Sequence, residues 1–190
     1  GAKVKNSALL DHSMFIDYAT NGMRSDFMDI YLSAKCKIFV TTGTGIDCLS
    51  LVFRRPIVEI NTVPIGSLRT YRKDVIALTK KHVWISSGRE LTMSEIFDNG
   101  IGLGLSTNYF ESMGVKLIER TPEEIRDVVI EMAERLEGNW QAYPDDEALQ
   151  QLFWEIFPTD AVNTNGVPLH GEIRSRFGAD FLRNNKVWLS

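Results

Sequence analysis

Hydrophobic positions in the first third of the chain fall first at helical and then at strand spacing. Phe27, Ile30 and Tyr31 recur every three or four residues behind Ser25, a residue type that caps helix N-termini, so they give a predicted helix one apolar face. The short apolar run within Cys36–Thr42 is rich in β-branched and aromatic residues, and it predicts a buried parallel strand.

A glycine-containing turn, a second helical segment and another apolar run follow at once. Ile46, Leu49 and Phe53 repeat at helical spacing, Pro56 ends that helix, and Ile57–Ile60 predicts the next strand. A strand, a turn, a helix and a strand in this order are typical of a right-handed βαβ unit.

The rest of the chain continues the alternation and then becomes helical. Thr92 and Thr121 each precede a glutamate by three residues and predict helix starts. Val75–Leu78 and Val83–Ile85 predict two short strands or one interrupted strand, and Val115–Ile118 predicts a final strand. Further helices are predicted at Asp146–Phe157 and Gly171–Leu189. We therefore predict an α/β domain at residues 1–138, with a Rossmann-like open, mostly parallel sheet and helices on both faces. Residues 139–190 are predicted to form a helical C-terminal extension that packs on it.

Composition and charge narrow the possible function classes. The 190 residues are 44% hydrophobic and 24% charged, as in soluble globular domains, which excludes a disordered or coiled-coil chain. The formal net charge of −4 gives no bulk positive field, so we expect no nucleic-acid partner. No apolar run is long enough to span a bilayer, and we expect a cytoplasmic protein whose Cys36 and Cys48 are reduced thiols.

The turn after the first predicted strand is the best candidate for chemistry, because ligands of doubly wound sheets bind beyond the carboxyl ends of strands. Gly43 and Gly45 let the backbone approach a ligand closely, and the hydroxyls of Thr41, Thr42 and Thr44 add donors to the N–H groups of the following helix. These features predict an anion cradle suited to phosphate. A turn that needs glycine only for its shape is the alternative, and the turn matches neither a Walker loop nor GxGxxG.

Residues beside this turn are further candidates, each with an ordinary structural alternative. Asp47, in the first turn of the helix, either compensates the helix dipole or accepts a hydrogen bond from a sugar hydroxyl. The loop after the second strand contains Asn61, Pro64 and Gly66, and Asn61 offers both donors and an acceptor to a base or sugar. Arg69 then either neutralises a diphosphate or belongs to a solvated charged segment.

Metal-binding motifs are missing from the sequence. His12, His82 and His170 do not stand in a metal-ligand pattern such as HExxH. The consecutive carboxylates Asp145 and Asp146 lie at a predicted helix start, where they act as a cap. We therefore expect neither a metal ion nor a cofactor.

Longer segments of the chain carry a family resemblance. They are Ser25–Leu32, Ala34–Lys37, Thr41–Gly45, Phe53–Val58, Glu95–Asp98, Thr121–Glu131, Phe153–Pro158 and His170–Ile173. These segments, which cover most of the chain from Ser25 onward, resemble a bacterial glycosyltransferase family associated with surface-polysaccharide gene clusters. The order of strand, glycine turn, helix, Arg-Pro and strand is also similar to the donor-binding half of GT-B glycosyltransferases and of nucleotide-sugar 2-epimerases.

The resemblance implies a metal-independent transfer of a sugar from a nucleotide-sugar donor to a surface-glycan or lipid-linked acceptor. By position, Thr42, Gly43, Thr44 and Gly45 would meet the diphosphate, and Asn61 would border the donor. One departure concerns the helix after the turn, where GT-B donor domains often carry a glutamate that holds ribose or sugar and this chain offers an aspartate and then uncharged residues.

The resemblance also implies that the acceptor is bound by an N-terminal domain outside this chain. We expect this chain alone to bind a donor without transferring its sugar, because closure of two domains positions acceptor against donor. Such a protein would be cytoplasmic or peripheral to the inner membrane.

Two other functions stay open. A nucleotide-sugar epimerase or hydrolase on the same scaffold needs carboxylates or a histidine that converge on the sugar. A non-catalytic α/β interaction module would need exposed aromatic residues, for which Trp140, Trp154 and Trp188 are the candidates.

Overall fold

The computed structural model describes residues 7–8, 10–163 and 165–190. Its strands are β1 Phe39–Thr41, β2 Ile57–Thr62, β3 Val75–Thr79, β4 Lys81–Trp84, β5 Val115–Ile118 and β6 Arg176–Phe177. Its α-helices are α1 Asp26–Lys35, α2 Asp47–Val52, α3 Met93–Asp98, α4 Thr107–Ser112, α5 Pro122–Glu137, α6 Asp146–Ile156 and α7 Ala179–Asn184. Short 3₁₀ turns occur at Ile65–Ser67, Ile101–Leu103 and Lys186–Leu189.

The main sheet has four strands in the order β1-β2-β3-β6, and every neighbouring pair is parallel. The predicted α/β class with a parallel sheet is therefore confirmed. β1 forms one edge, and α5 packs against β2 and β3. Because parallel strands share a direction, the carboxyl ends of β1, β2 and β3 lie at one end of the sheet and their amino ends at the other.

The strands predicted near residues 83–85 and 115–118 exist but do not join the main sheet. β4 and β5 form a separate antiparallel pair in which Lys81 faces Ile118 and Trp84 faces Val115. Only Lys80 separates β3 from β4. A parallel neighbour needs a crossover of a dozen or more residues, so β4 cannot lie parallel to β3 in the same sheet.

Local sequence signals set the helix boundaries. The side chain of Ser25 caps α1, and complete capping boxes open α3 at Thr92 and α5 at Thr121. α5 ends at Gly138, whose φ of 73° is left-handed. The capping rule also applies to α4, which Ser106 caps and which the sequence analysis left unassigned.

The apolar face of α1 is exposed to solvent, unlike the apolar faces of the other long helices. Phe27 is 70% exposed, and Ile30 and Tyr31 are each more than two-fifths exposed. Ser33 is the buried residue of this helix, at its contact with α2. Helical periodicity alone therefore located the helix but not the side that the protein covers.

The prediction of one helix over Gly171–Leu189 is wrong. Arg176 and Phe177 instead pair with β3 as β6, and α7 begins only after Gly178. Gln150 on α6 holds both backbone polar groups of Phe177, accepting from its N–H and donating to its carbonyl. The side chains of Phe153, Phe177 and Trp188 stack in the same hydrophobic cluster as the β3 side chains. Residues beyond 138 thus contribute a strand and core side chains.

His82 on β4 is a buried, neutral histidine. Its Nδ1 lies 3.1 Å from the carbonyl oxygen of Lys80 and donates to it, because a carbonyl can only accept. Its Nε2 is buried without a partner among the described residues. Burial lowers the pKa of His82 to about 4, and the charge of Arg120 acts in the same direction.

We expect His82 to make the protein less stable in acid. The unfolded chain binds a proton at this residue below pH 6.5, whereas the folded chain binds it only near pH 4. The free energy of unfolding therefore falls by about 3 kcal/mol from pH 6.5 to pH 4 and is unaffected by this residue above that window. His82→Asn keeps a side-chain donor near the Lys80 carbonyl but cannot titrate. Urea unfolding over this pH range should show a loss about 3 kcal/mol larger in the native chain than in the variant, and equal losses would contradict the assignment.

Candidate functional site

The Thr-Gly-Thr-Gly turn lies directly beyond the carboxyl end of the edge strand β1. Thr41 ends the strand, and its Oγ1 accepts a hydrogen bond of 3.1 Å from the N–H of Gly43. Gly43 has a φ of 83°, a left-handed conformation that favours glycine. A Cβ at Gly43 or at Gly45 would meet no atom within 4 Å, so both glycines border open space.

Three consecutive backbone N–H groups of the turn have no acceptor among the described residues. The N–H groups of Asp47 and Cys48, in the first turn of α2, bond back to the carbonyls of Thr44 and Gly45 at 3.0 and 3.3 Å. Those of Thr44, Gly45 and Ile46 donate to no acceptor in the part of the chain that the structure describes. The N–H groups without an acceptor thus lie in the three residues before α2, whereas the sequence predicted them at the start of that helix.

A cleft of about 750 Å³ opens beside this turn. Thr41, Thr42 and Thr44 line one part of it, as predicted for the candidate hydroxyls. An apolar wall comes from β1, β2, α2 and the residue before α2, and a mainly polar wall comes from α1 and the segment before it. The first comprises Phe39, Val40, Ile46, Leu49 and Ile60, and the second comprises Tyr18, Ala19, Arg24 and Asp29. A concave, largely apolar pocket with a few polar groups is the usual form of a small-molecule site.

The polar wall of this cleft was missed by the sequence analysis. The carboxylate of Asp29 accepts a hydrogen bond of 2.9 Å from the Tyr18 hydroxyl and pairs with Arg24, also at 2.9 Å. Asp29 lies in the first turn of α1, where its spacing indicates only an ordinary helix-start carboxylate. Tyr18 lies in a turn that the sequence analysis did not connect with β1. No local sequence pattern predicts that these three residues line the same cleft as the glycine turn.

Asp47 and Arg69 belong to a buried ion cluster. Arg69 Nη2 lies 2.9 Å from Asp47 Oδ2, and Arg69 Nη1 pairs with Glu59 on β2. Both carboxylates are almost fully buried, and the guanidinium is about one-fifth exposed. The structure thus engages Asp47 and Arg69 with each other, and neither lines the cleft.

Burial and ion pairing act in opposite directions on the pKa values of this ion cluster. It raises the pKa of Glu59, Asp47 acts in the same direction, and Arg69 opposes the shift. Burial acts to lower the pKa of Arg69, but the two carboxylates outweigh it and the pKa is raised. Glu59 Oε2 has no hydrogen-bond partner among the described residues, so this carboxylate is only half satisfied. The two carboxylates thus share one arginine as their counter-ion.

The loop after β2 is built into the protein interior. Asn61 Oδ1 accepts a hydrogen bond of 2.8 Å from the backbone N–H of Arg120, which ties β2 to the residues after β5. Gly66 packs so closely that a Cβ would lie 2.9 Å from the carbonyl oxygen of Gly102, and its own carbonyl accepts from His170 Nε2 at 3.0 Å. Pro64 precedes the 3₁₀ turn at Ile65–Ser67. None of these three candidates lines the cleft, so their role in donor binding stays a prediction.

Comparison with known proteins yields no relative. No family model, no curated protein and no solved structure matches the chain. The resemblance to a glycosyltransferase family therefore stays a hypothesis that rests on the quoted segments. Within the described ranges, no three His, Cys, Asp or Glu residues are grouped to hold a metal ion. No helix in the described part of the chain has the length and apolar character needed to cross a membrane.

Proposed function

We propose that this chain is the donor-binding part of a glycosyltransferase and binds a nucleotide-sugar in the cleft beside the Thr-Gly-Thr-Gly turn. In this proposal the sugar passes to a surface-glycan or lipid-linked acceptor held by another domain, without a metal ion. The chain by itself then binds donor and transfers nothing. The protein works in the cytoplasm or at the inner membrane surface.

The observation that carries the proposal is the coincidence of three free turn amides with the cleft. The N–H groups of Thr44, Gly45 and Ile46 have no acceptor in the described chain, and the hydroxyls of Thr42 and Thr44 border the same space. Consecutive amide donors of this kind form a concavity for anions, and a diphosphate is the anion of a nucleotide-sugar. Hydrogen bonds to such a charged leaving group contribute about 1.5–3 kcal/mol each.

The rest of the cleft suits the remainder of a donor. Its apolar wall, which includes Phe39, Leu49 and Ile60, offers a surface for a base or a sugar ring. Asp29 accepts hydrogen bonds at the opposite wall, where a ribose or sugar hydroxyl would find an acceptor. In our proposal Asp29 replaces Asp47, which Arg69 holds elsewhere.

The interaction-module alternative loses its main support. Trp188 is only 6% exposed and stacks on Phe177, and Trp154 packs against the same core. Two of the three candidate tryptophans thus stabilise the fold. The epimerase or hydrolase alternative shares the donor cleft and is distinguished by its products, since it converts a nucleotide-sugar without an acceptor.

Gly45→Ala provides a sharp test of the proposed donor cleft. The added methyl meets no protein atom within 4 Å and requires no left-handed backbone, so the free energy of unfolding should change by less than about 1 kcal/mol. The methyl nevertheless stands among the free amides and should weaken nucleotide-sugar binding at least about tenfold, or about 1.4 kcal/mol. A thermal-shift series with UDP, GDP, CDP and their sugar conjugates measures this, because ligand at a hundredfold excess over Kd stabilises by about 2.7 kcal/mol.

Gly171→Ala is the matched control for this experiment. Gly171 also borders open space without a left-handed φ, but it lies outside the Thr-Gly-Thr-Gly turn and its free amides, whereas Gly45 stands between the cleft residues Thr44 and Ile46. Its variant should keep the full ligand-induced shift. The proposal fails if no nucleotide or nucleotide-sugar raises the melting temperature of the native chain, or if Gly45→Ala binds donor as well as Gly171→Ala does.

A further inference from the structure

A basic groove of about 650 Å³ lies at the opposite end of the sheet from the donor cleft. Its lining comes from the end of α2, the segment before β3 and the segment before β6, and consists of Leu51, Val52, Arg54, Tyr71, Arg72, Lys73, Asp74 and Arg174. These segments lead into the amino ends of β2, β3 and β6. We call this surface the amino-end groove.

Arg72 lines the amino-end groove and is held there by bonds to the protein. Its guanidinium donates to the carbonyls of Leu51 and Arg55, each at 3.1 Å, and pairs with Asp74. These bonds satisfy carbonyl groups at the end of α2 and neutralise the aspartate. The guanidinium of Arg72 is therefore engaged within the protein, and the positive charge that a ligand can meet comes from the other cations of the groove.

Three cations remain at the rim of the groove. Arg54 and Lys73 are exposed and make no ion pair within the described residues. Arg174 pairs with Glu172, but both side chains are more than half exposed, where such a pair contributes little. This surface is locally positive although the whole chain carries a net charge of −4.

Exposed apolar side chains stand among these cations. Val52 is 74% exposed, Tyr71 is 54% exposed, and Phe53 lies between Val52 and Arg54 in the chain and is 41% exposed. Single-stranded nucleic acid binds mainly through cations and stacking aromatic rings, so an exposed aliphatic valine adds little to such a site. A lipid surface binds cationic, aromatic and aliphatic side chains together, because the cations contact headgroup phosphates and the apolar groups enter the acyl boundary.

We propose that the amino-end groove docks the protein on an anionic phospholipid surface. Arg54, Lys73 and Arg174 contact headgroup phosphates, and Val52, Phe53 and Tyr71 insert at the interface. In this orientation the amino ends of the parallel strands face the bilayer. The donor cleft beyond the carboxyl end of β1 then faces away from the membrane, toward a water-soluble ligand. This docking is independent of what the cleft binds.

Vesicle sedimentation tests the proposal directly. At low salt the chain should bind vesicles of equimolar phosphatidylcholine and phosphatidylglycerol and should not bind vesicles of phosphatidylcholine alone. The double variant Arg54→Gln/Lys73→Gln should bind about 30-fold more weakly, since each cation near an anionic surface contributes about fivefold. Salt at about 1 M, where the screening length is about 3 Å, should weaken the native binding in the same way.

Two further variants separate lipid docking from general charge attraction. Lys116→Gln/Arg126→Gln removes the same charge from exposed sites on β5 and α5 and should bind like the native chain. Val52→Ser/Tyr71→Ser keeps every charge and should bind about tenfold more weakly because its apolar insertion is lost. Circular dichroism melting checks that each variant is folded.

The proposal is overturned if the native chain does not bind anionic vesicles at low salt, or if the Lys116/Arg126 control loses as much binding as the Arg54/Lys73 variant. It is also overturned if single-stranded RNA binds more tightly than the vesicles and the Val52/Tyr71 variant binds both like the native chain. That result would assign the groove to nucleic acid.

Discussion

Replacing Arg69 by methionine lowers the free energy of unfolding by about 3–5 kcal/mol. Arg69 is the cation that pairs with both Asp47 and Glu59, and each of those carboxylates is only 2% exposed. Removing it leaves two buried negative charges without compensation. One oxygen of Glu59 already has no hydrogen bond among the described residues, so no neighbouring donor offsets the loss of the guanidinium. Urea unfolding near neutral pH measures the effect.

A matched surface pair isolates the effect of burial. Arg126 pairs with Asp127 but is 62% exposed, so Arg126→Met should cost at most about 1 kcal/mol. Asp47→Asn and Glu59→Gln, added to Arg69→Met, remove the buried charges and should recover most of the lost stability. If Arg69→Met costs no more than Arg126→Met, the ion cluster is not the buried unit described above.

The same variant separates the two roles that the sequence allowed for Arg69. If the guanidinium reached a donor diphosphate, Arg69→Met would abolish the nucleotide-induced thermal shift without lowering the melting temperature of the free chain. We expect the opposite pattern. Arg69→Met should lower the melting temperature of the free chain, and a nucleotide should still raise that melting temperature. Arg69 then supports the turn through Asp47, which begins α2, rather than touching the ligand.

Elements with strong local signals were predictable from the sequence. The capping boxes at Thr92 and Thr121 and the N-cap Ser25 act within one helical turn, so their residues are close in sequence and their helices were located correctly. The strand order of the parallel sheet near β1 and β2 followed from the short βαβ connection. These features need no knowledge of distant partners.

Elements that depend on distant partners were not predictable. β6 exists because Phe177 pairs with Ala77 and because Gln150 bonds to its backbone, and these partners lie far along the chain. The sequence around Phe177 carries helical spacing, which led to the wrong helix over Gly171–Leu189. Tertiary pairing overrode that local preference.

The candidate site divides in the same way. The glycine turn was found because glycine and threonine after a strand carry a local signal. Glu59 was missed because it sits inside the apolar run Ile57–Ile60, where a central strand normally buries only hydrophobic residues. Its partner Arg69 explains its burial, and nothing in the spacing of the two residues predicts their contact.

Replacing Phe177 by alanine should lower the free energy of unfolding by about 3–5 kcal/mol. Its side chain is fully buried and stacks on Phe153 with ring centroids 4.5 Å apart and on Trp188 at 5.5 Å. The truncation leaves a cavity between α6, β3 and the C-terminal 3₁₀ turn. Because one hydrophobic cluster includes these rings and the β3 side chains, we expect the whole chain to unfold in one transition.

This transition also tests the division at residue 138 that the sequence suggested. Tryptophan fluorescence, measured throughout in a Trp84→Phe background, reports on Trp140, Trp154 and Trp188, which all lie beyond residue 138. Far-ultraviolet circular dichroism reports on all helices and strands. The two signals should give the same midpoint in the native chain and shift together in Phe177→Ala, whereas Val187→Ala, at an 82% exposed position, should shift neither by more than about 0.5 kcal/mol. Separate midpoints, with only the fluorescence midpoint moved by Phe177→Ala, would instead show that residues 139–190 form a dispensable extension on an independently stable domain.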